Sequence, residues 1–414
     1  MMCIIFSRFN FTGLFLPENS NPMRLFFNLS LFFTIFLSLS GFSGLCQPAD
    51  IRKLVDTLAS ATMEGRGYVD GGLAKAADLI ENQWKSTGIV PVGKTFRQPF
   101  KHEVNVFDGS AMLLLNRQPL MAGIDFIVTP GSRTVKGGRN LQKMDSVRWI
   151  DSEGRVVIEK VKKLTWGVSG IQDDYTVFQV LEERFPADPE NYMANLDARR
   201  VKNFISENLV GMVKGTEVPD SFLVLTAHYD HLGKLGTTVN NNAVFRGAND
   251  NASGVALLLH LAKQIAAKPL RYSVVFIAFA GEEAGLLGSA HFVKNPMIKL
   301  KNIRFLVNLD LLGTGEEGIM VVNATEFPKE WKMLDELNTQ NGWLKQVGQR
   351  GKAANSDHYW FTEAGVPAFF IYTMGGIKAY HDIYDLPETL PLTKTEEVGK
   401  LIMRFFETLG EGSQ

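Results

Sequence analysis

Short apolar runs that stop on a carboxylate or an imidazole punctuate the second half of the chain: Phe222 to Ala227 before His228, Tyr272 to Ala280 before Glu282, and Ile303 to Leu309 before Asp310. Runs of this kind, bounded by turn residues, predict buried strands. Between the first two, Ala252 to Ala267 is rich in Ala and Leu and predicts a helix. Further strands are expected at Ile319 to Asn323 and Pro367 to Thr373, and a last helix from Thr393 to Leu409. Apolar strands alternating with amphipathic helices predict an α/β fold, a three-layer α/β/α sandwich whose central sheet is mixed and mostly parallel.

The pattern is different ahead of this core. Apolar residues recur at helical spacing from Ala49 to Ser60 and from Gly72 to Ser86, with the Gly-rich loop Met63 to Tyr68 between them. Glu64 and Arg66 read there most simply as a surface pair, with a place bordering the active site as the other reading. From about Val104 to Ala198 the runs are short and β-like (Ala111 to Leu115, Phe126 to Val128, Val156 to Ile158, Tyr175 to Val180). They predict a small β-rich insertion or lid, with an extension of the main sheet's edge as its plainest role. The expected division is 1–46, a leader; 47–103, a helical part of the main domain; 104–198, the insertion; and 199–414, the core.

Met23-Arg24, the apolar stretch to Leu39 and the small residues Ser40, Gly41, Ser43 and Gly44 have the pattern of a signal peptide, with Met23 as the start and cleavage near Cys46-Gln47. A membrane anchor is the other reading of that stretch; its shortness and Asn28, Ser30 and Thr34 favour the cleavable signal. Acylation of Cys46 is a third reading, weakened by Leu45 just before it. The expected location is therefore secreted or periplasmic, with no stable membrane association after cleavage. Cys3 and Cys46 are the only cysteines, which excludes disulfide staples, a Cys nucleophile and thiolate ligands from the mature domain. Charge is near balance, 43 Lys and Arg against 44 Asp and Glu, and no basic block is interleaved with aromatics, so a nucleic-acid partner is not expected. Nothing in the sequence sets an oligomeric state.

Carboxylates and imidazoles at the ends of core strands are costly to bury unpaired, and a cation compensates them. Asp310 alone would read as a capped or ion-paired carboxylate; five such residues arriving together point to metal. His228 and Asp230 flank Tyr229 and share one side of an extended segment, so Asp230 is suited to accept the second ring N–H of His228. Asp250 lies in a Gly/Asn loop before a helix, where each carboxylate oxygen can face a different cation. Glu282 and Glu283 should diverge, one toward metal and one toward substrate. His260 and His291 read as structural, while His231 and His358 are open between orienting a ligand and packing a loop. Asp357 is expected to orient the loop before Trp360.

The order of these segments resembles the secreted co-catalytic di-zinc aminopeptidases, which share a fold with glutamate carboxypeptidase. The likeness covers most of the mature chain and is tightest from Leu223 to Asp385. It rests on His228 to Asp230, Asn249 to Gly254, Gly281 to Ser289, Asn308 to Asp310, Ser356 to His358, and Tyr380-His381 with Asp385. The resemblance implies two zinc ions: one held by His228 and Asp310, the other by Glu283 and His381, with Asp250 bridging. It also implies a metal-bridging hydroxide as nucleophile, Glu282 as general base, Tyr380 as donor to the oxyanion, and a cis peptide at Asp250-Asn251. Manganese or cobalt would suit the same ligands. The implied activity is removal of N-terminal residues from peptide substrates.

Three alternatives remain at this point. A carboxypeptidase or dipeptidase would need a basic cluster for the substrate carboxylate, and Arg246 is the obvious cation between His228 and Asp250. Glutaminyl cyclases usually place Trp before the last His, where this chain has Tyr380. A non-catalytic binding module should show substitutions among the five ligands or at Glu282, and the sequence shows none.

Overall fold

The computed structural model describes residues 49–238 and 241–411. The leader reading, with Met23 and Cys46, lies outside the described residues. Nine strands make the main sheet: β1 (Val90–Pro91), β2 (Arg97–Val106), β3 (Arg199–Val213), β4 (Val218–His228), β5 (Tyr272–Phe279), β6 (Ile303–Leu309), β7 (Gly318–Val322), β8 (Val347–Arg350) and β9 (Ala368–Met374). They lie in the order β1-β3-β5-β4-β6-β9-β7-β8, with β2 also beside β3. The sheet is mixed. Its parallel character is concentrated in the middle, β5-β4-β6-β9, with one more parallel pair at the β7-β8 edge. Pairings of β3 with β1, β2 and β5, and of β7 with β9, are antiparallel.

Period-two alternation along the central strands sorts side chains to the two faces. Leu223 and Leu225 of β4, with Val274, Phe276 and Ala278 of β5, join one core. That core is covered by α1 (Ala49–Leu58), α2 (Gly72–Ser86), α3 (Gly254–Ala267), α5 (Pro328–Asn341) and α7 (Thr395–Glu411). Val224, Val275, Ile277 and Phe279 point the other way, to Phe292 of α4 (Leu287–Lys294) and Phe361 of α6 (His358–Glu363). This is the three-layer α/β/α arrangement. Because both faces are covered, β5 is buried along its whole length, which is why it reads as a continuous apolar run after Ser273.

The β-rich part is not an extension of the main sheet's edge. It forms two sheets of its own, reached from the long β2-β3 ribbon. One contains Phe126–Val128, Thr176–Leu181, Val156–Val161, Arg148–Asp151 and Gln142–Lys143; the other contains Gln118–Leu120, Ala111–Leu115, Asn191–Leu196 and Val135–Asn140. Buried and half-buried positions alternate along Ala111–Leu115 and Thr176–Leu181, and the buried side chains of both sheets meet in a separate core. Leu235, Ala243 and Phe245, from the ribbon of Gly233–Thr238 and Asn241–Phe245, and Leu232 just before it, join that same core.

Candidate metal centre

Parallel strands bring their carboxyl ends to one edge of the sheet, where α/β folds place their ligands. His228 closes β4, Glu282 and Glu283 follow β5 past Gly281, and Asp310 follows β6. Asp250 sits in the irregular turn Ala248–Ser253 that leads into α3, and the peptide from Asp250 to Asn251 is cis, as the resemblance implies. His381 lies in the loop after β9.

These residues converge. Nε2 of His228 is 3.2 Å from Oδ1 of Asp250 and 3.4 Å from Oδ1 of Asp310. Nε2 of His381 is 3.1 Å from Oδ2 of Asp250 and 3.2 Å from Oε2 of Glu283. The two oxygens of Asp250 thus face two different imidazoles. Glu282, half-buried, has a carboxylate oxygen in the same small group of ligand atoms as His228 and Glu283. Tyr380 stacks on the His381 ring with centroids 4.0 Å apart and is 43% exposed, at the rim of the site.

The donor set suits cations. Oδ1 of Asp310 is enclosed and has no hydrogen-bond partner. Its other oxygen accepts from the Ser356 hydroxyl at 2.9 Å, Ser356 accepts from Asn308 at 2.8 Å, and Asn308 accepts from Thr226 at 2.6 Å. This chain of donors fixes Asp310 and leaves Oδ1 for a metal, giving Ser356 a role its motif alone did not disclose. A buried acceptor facing an imidazole and other carboxylates is expensive unless positive charge fills the space.

Electrostatics agree. Burial works against the charged form of His228, but the Asp310 and Glu282 carboxylates outweigh it and hold the imidazole well above its ordinary value. Burial likewise opposes protonation of His381, yet Glu283 and Asp250 raise it to about 11. Protons on both imidazoles therefore balance the carboxylates when no cation does. Glu282 moves the other way from Glu283. Burial pushes the Glu282 carboxyl well up, with Glu283, Asp357 and Asp310 adding to the shift and His228 opposing it. Glu283 resists burial and the Asp250 charge because His381 and His231 hold it down to about 2. Two adjacent carboxyls are thus prepared for different protonation states.

Several side chains fall elsewhere than their residue types suggested. The closest partner of His228 Nδ1 is the main-chain carbonyl of Asp230, at 3.2 Å; the Asp230 carboxylate is farther, at 3.7 Å. That carboxylate is drawn away by three other donors: the Tyr68 hydroxyl at 2.8 Å and the amides of Glu282 and Glu283 at 3.2 and 3.3 Å. Asp230 therefore anchors the Glu282-Glu283 turn more directly than it orients His228. His231 donates to Oε1 of Glu283 at 2.8 Å, leaving Oε2 toward His381, so it orients a site carboxylate. His358 is buried against Phe370, His260 meets Gln264, and His291 stacks on Phe100. Asp357 makes no capping bond to α6; burial raises its carboxyl to about 7.

Arg66 is not on the surface. It is fully buried, and its guanidinium donates to the carbonyls of Tyr229, Leu58, Arg246, Gly247 and Asp250 at 2.7 to 3.1 Å. The turn before it explains how it gets inside: Gly65 has φ +64, and a Cβ there would lie 2.4 Å from the carbonyl oxygen of Phe245. Only glycine permits that approach. Glu64 stays outside, paired with Lys234 and Lys75. On the far side of the Asp250 loop, both oxygens of Asp385 accept main-chain amides, from Asn249 at 2.8 Å and Asp250 at 3.0 Å. The loop is gripped from two sides through its backbone.

A sheet of this order, with two imidazole-carboxylate pairs sharing one aspartate at its carboxyl edge, has the zinc-exopeptidase fold. Residues 208–406 match the model described as Peptidase family M28. Aminopeptidase YwaD of Bacillus subtilis is 28% identical over 268 residues, covering 59% of this chain and 53% of that protein, so the match spans about half the relative's length. The crystal structure of BSAP, a zinc aminopeptidase from Bacillus subtilis, superposes with a TM-score of 0.65 at 19% identity, over 88% of this chain and 96% of that one. A glutaminyl cyclase from an Acidobacteriales bacterium gives 0.53 at 17% identity, over 89% and 98%. The fold is thus shared by peptidases and cyclases, and discrimination rests on the site.

Proposed function

We propose that the protein is a zinc-dependent aminopeptidase, removing N-terminal residues from peptides outside the cytoplasm. The observation that carries this reading is Asp250, whose two oxygens face the Nε2 atoms of His228 and His381 from opposite sides. That geometry suits a carboxylate shared by two cations. His228 and Asp310 would complete one binding position, and Glu283 and His381 the other. Bound there, two zinc ions would supply the Lewis acidity that activates water and polarises the scissile carbonyl. The family and the likeness to named aminopeptidases support the same reading. The location outside the cytoplasm rests on the signal pattern at Met23 to Gly44.

The chain's own groups divide the remaining work. Glu282, held at its amide by Asp230 and raised by burial, takes a proton from the attacking water and returns it to the departing amine. Tyr380 is kept neutral because burial and the nearby carboxylates oppose its ionisation, so its hydroxyl remains a donor for the oxyanion. Asp230, Tyr68 and His231 hold the Glu282-Glu283 turn so that one carboxyl serves the reaction and its neighbour serves the metal.

The test is mass spectrometry of a mixed peptide set, with N-acetylated and N-terminal Gln members, incubated with the zinc-loaded protein and with Glu282→Gln. Stepwise loss of N-terminal residues from free-amine peptides only, abolished in the variant, is the expected result. Loss of ammonia from the Gln peptides would instead mean a cyclase, and trimming from the carboxyl end a carboxypeptidase.

A further inference from the structure

The β-rich insertion supplies none of the six residues at the cluster, yet it touches His381 twice. Trp166, in the segment between its strands Val156–Val161 and Thr176–Leu181, donates its main-chain N–H to the His381 carbonyl at 2.9 Å. The Trp166 carbonyl lies 3.0 Å from Nδ1 of His381. A carbonyl can only accept, so Nδ1 must carry a proton, and in the neutral ring that a metal requires the Nε2 lone pair is the one turned toward Asp250 and Glu283.

Trp166 is itself firmly seated in the insertion. Its indole N–H donates to Val128 at 2.9 Å, and its ring lies 4.5 Å from Phe245 and 5.9 Å from Phe107 between centroids. Two further contacts grip the same loop. Lys163 lies 3.7 Å from Asp382, whose carboxylate accepts the amides of Tyr380 and Tyr384. Ile383 packs against the insertion's core, and beside it Gly123 leaves no room for a Cβ, which would lie 2.9 Å from Ile383 and 2.4 Å from Ala243. His228 has no such outside support, since its Nδ1 is served by the carbonyl two residues on in its own loop.

We infer that the insertion is a positioning element for one half of the metal pair: the Trp166 main chain, seated by its indole, sets the ring and tautomer of His381, and with them the affinity of the ion that His381 and Glu283 hold. This rests on the two-metal reading above and adds to it a cause for unequal affinities.

The test uses the full chain loaded with cobalt, whose absorption reports each position, and titrated with a chelator. His228→Ala and His381→Ala supply the reference spectra. The expected result for Trp166→Ala is that the ion missing in His381→Ala is released at chelator concentrations about tenfold lower or more, while the other ion is retained as in the wild type. Trp166→Phe, which keeps an aromatic ring in the seat, should recover most of the loss. Equal weakening of both ions, or of neither, would overturn the inference. Should Trp166→Ala fail to give a cooperative melt, the surface variant Lys163→Ala decides. Selective loosening of the same ion by a fewfold supports the inference, and two unchanged ions overturn it. A wild-type chain that takes up fewer than two ions would sink the metal pair itself, and that failure is visible before any variant is compared.

Discussion

The two halves of the metal centre are built from different materials. His228 and Asp310 end adjacent parallel strands, and the hydroxyl and amide chain from Thr226 to Ser356 runs beneath them. Glu283 and His381 stand on loops, and His381 has φ +53 and a side chain 16% exposed, against 1% for His228. One half is fixed by the sheet itself; the other depends on a turn held by Asp230 and on a loop held by the insertion. Strand ends give rigid placement, whereas loops allow a ligand to be tuned by whatever packs behind it. On the proposed two-metal reading, two ions sharing one aspartate need not be bound alike.

Removing what the halves share should have the largest effect. Asp250→Asn should abolish paired metal uptake, read by elemental analysis, and lower peptide cleavage by roughly 10³-fold or more. Retention of two tightly held ions would refute the bridging role. Glu282→Gln should leave both ions in place and lower kcat by about 10²–10⁴-fold, which separates the reacting carboxyl from its metal-facing neighbour. Ser356→Ala should act on the strand-built half alone, weakening the ion at His228 and Asp310 by about tenfold; an effect on the His381 ion would break the comparison. The smallest effect is in protons. His381 is raised to about 11 in the absence of metal, so it is charged at pH 7, and ligation requires the neutral ring. Zinc uptake at pH 7 should therefore release protons, His228 contributing in the same sense. The His381 share should persist as pH rises from 7 and fade only as pH passes its raised value. Calorimetry in buffers of different ionisation enthalpy measures this, and uptake without proton release would contradict the assigned ring states.

What could be read in advance follows the same divide. His228, Glu282, Glu283 and Asp310 were legible because polar residues end apolar runs, Asp250 from its Gly/Asn loop before a helix, and His381 from the resemblance alone; the structure brings all six together. The three layers were legible from alternation in β4 and β5, where neighbours such as Leu223 and Val224 serve opposite faces. Arg66 was not. A charged residue in a Gly-rich loop looks solvated, and its partners are carbonyls, which every residue has. The support from Trp166 is likewise made by main-chain atoms and leaves no trace in residue type. Asp230 shows the subtler case: period two placed it beside His228, but Tyr68 and two amides compete for its carboxylate, and no spacing rule records them.

Arg66 also has a meaning for the order of events in folding. Its five acceptors come from three stretches, around Leu58, Tyr229 and Arg246 to Asp250, while the opposite anchor, Asp385, comes from a fourth. Contacts across such separations close late, after local helices and hairpins have formed. A chain that has folded only its first two helices, or only its central strands, has no formed Asp250 loop to offer. The proposed metal site would thus be completed only at the end of folding, after the four stretches that hold the Asp250 loop have come together.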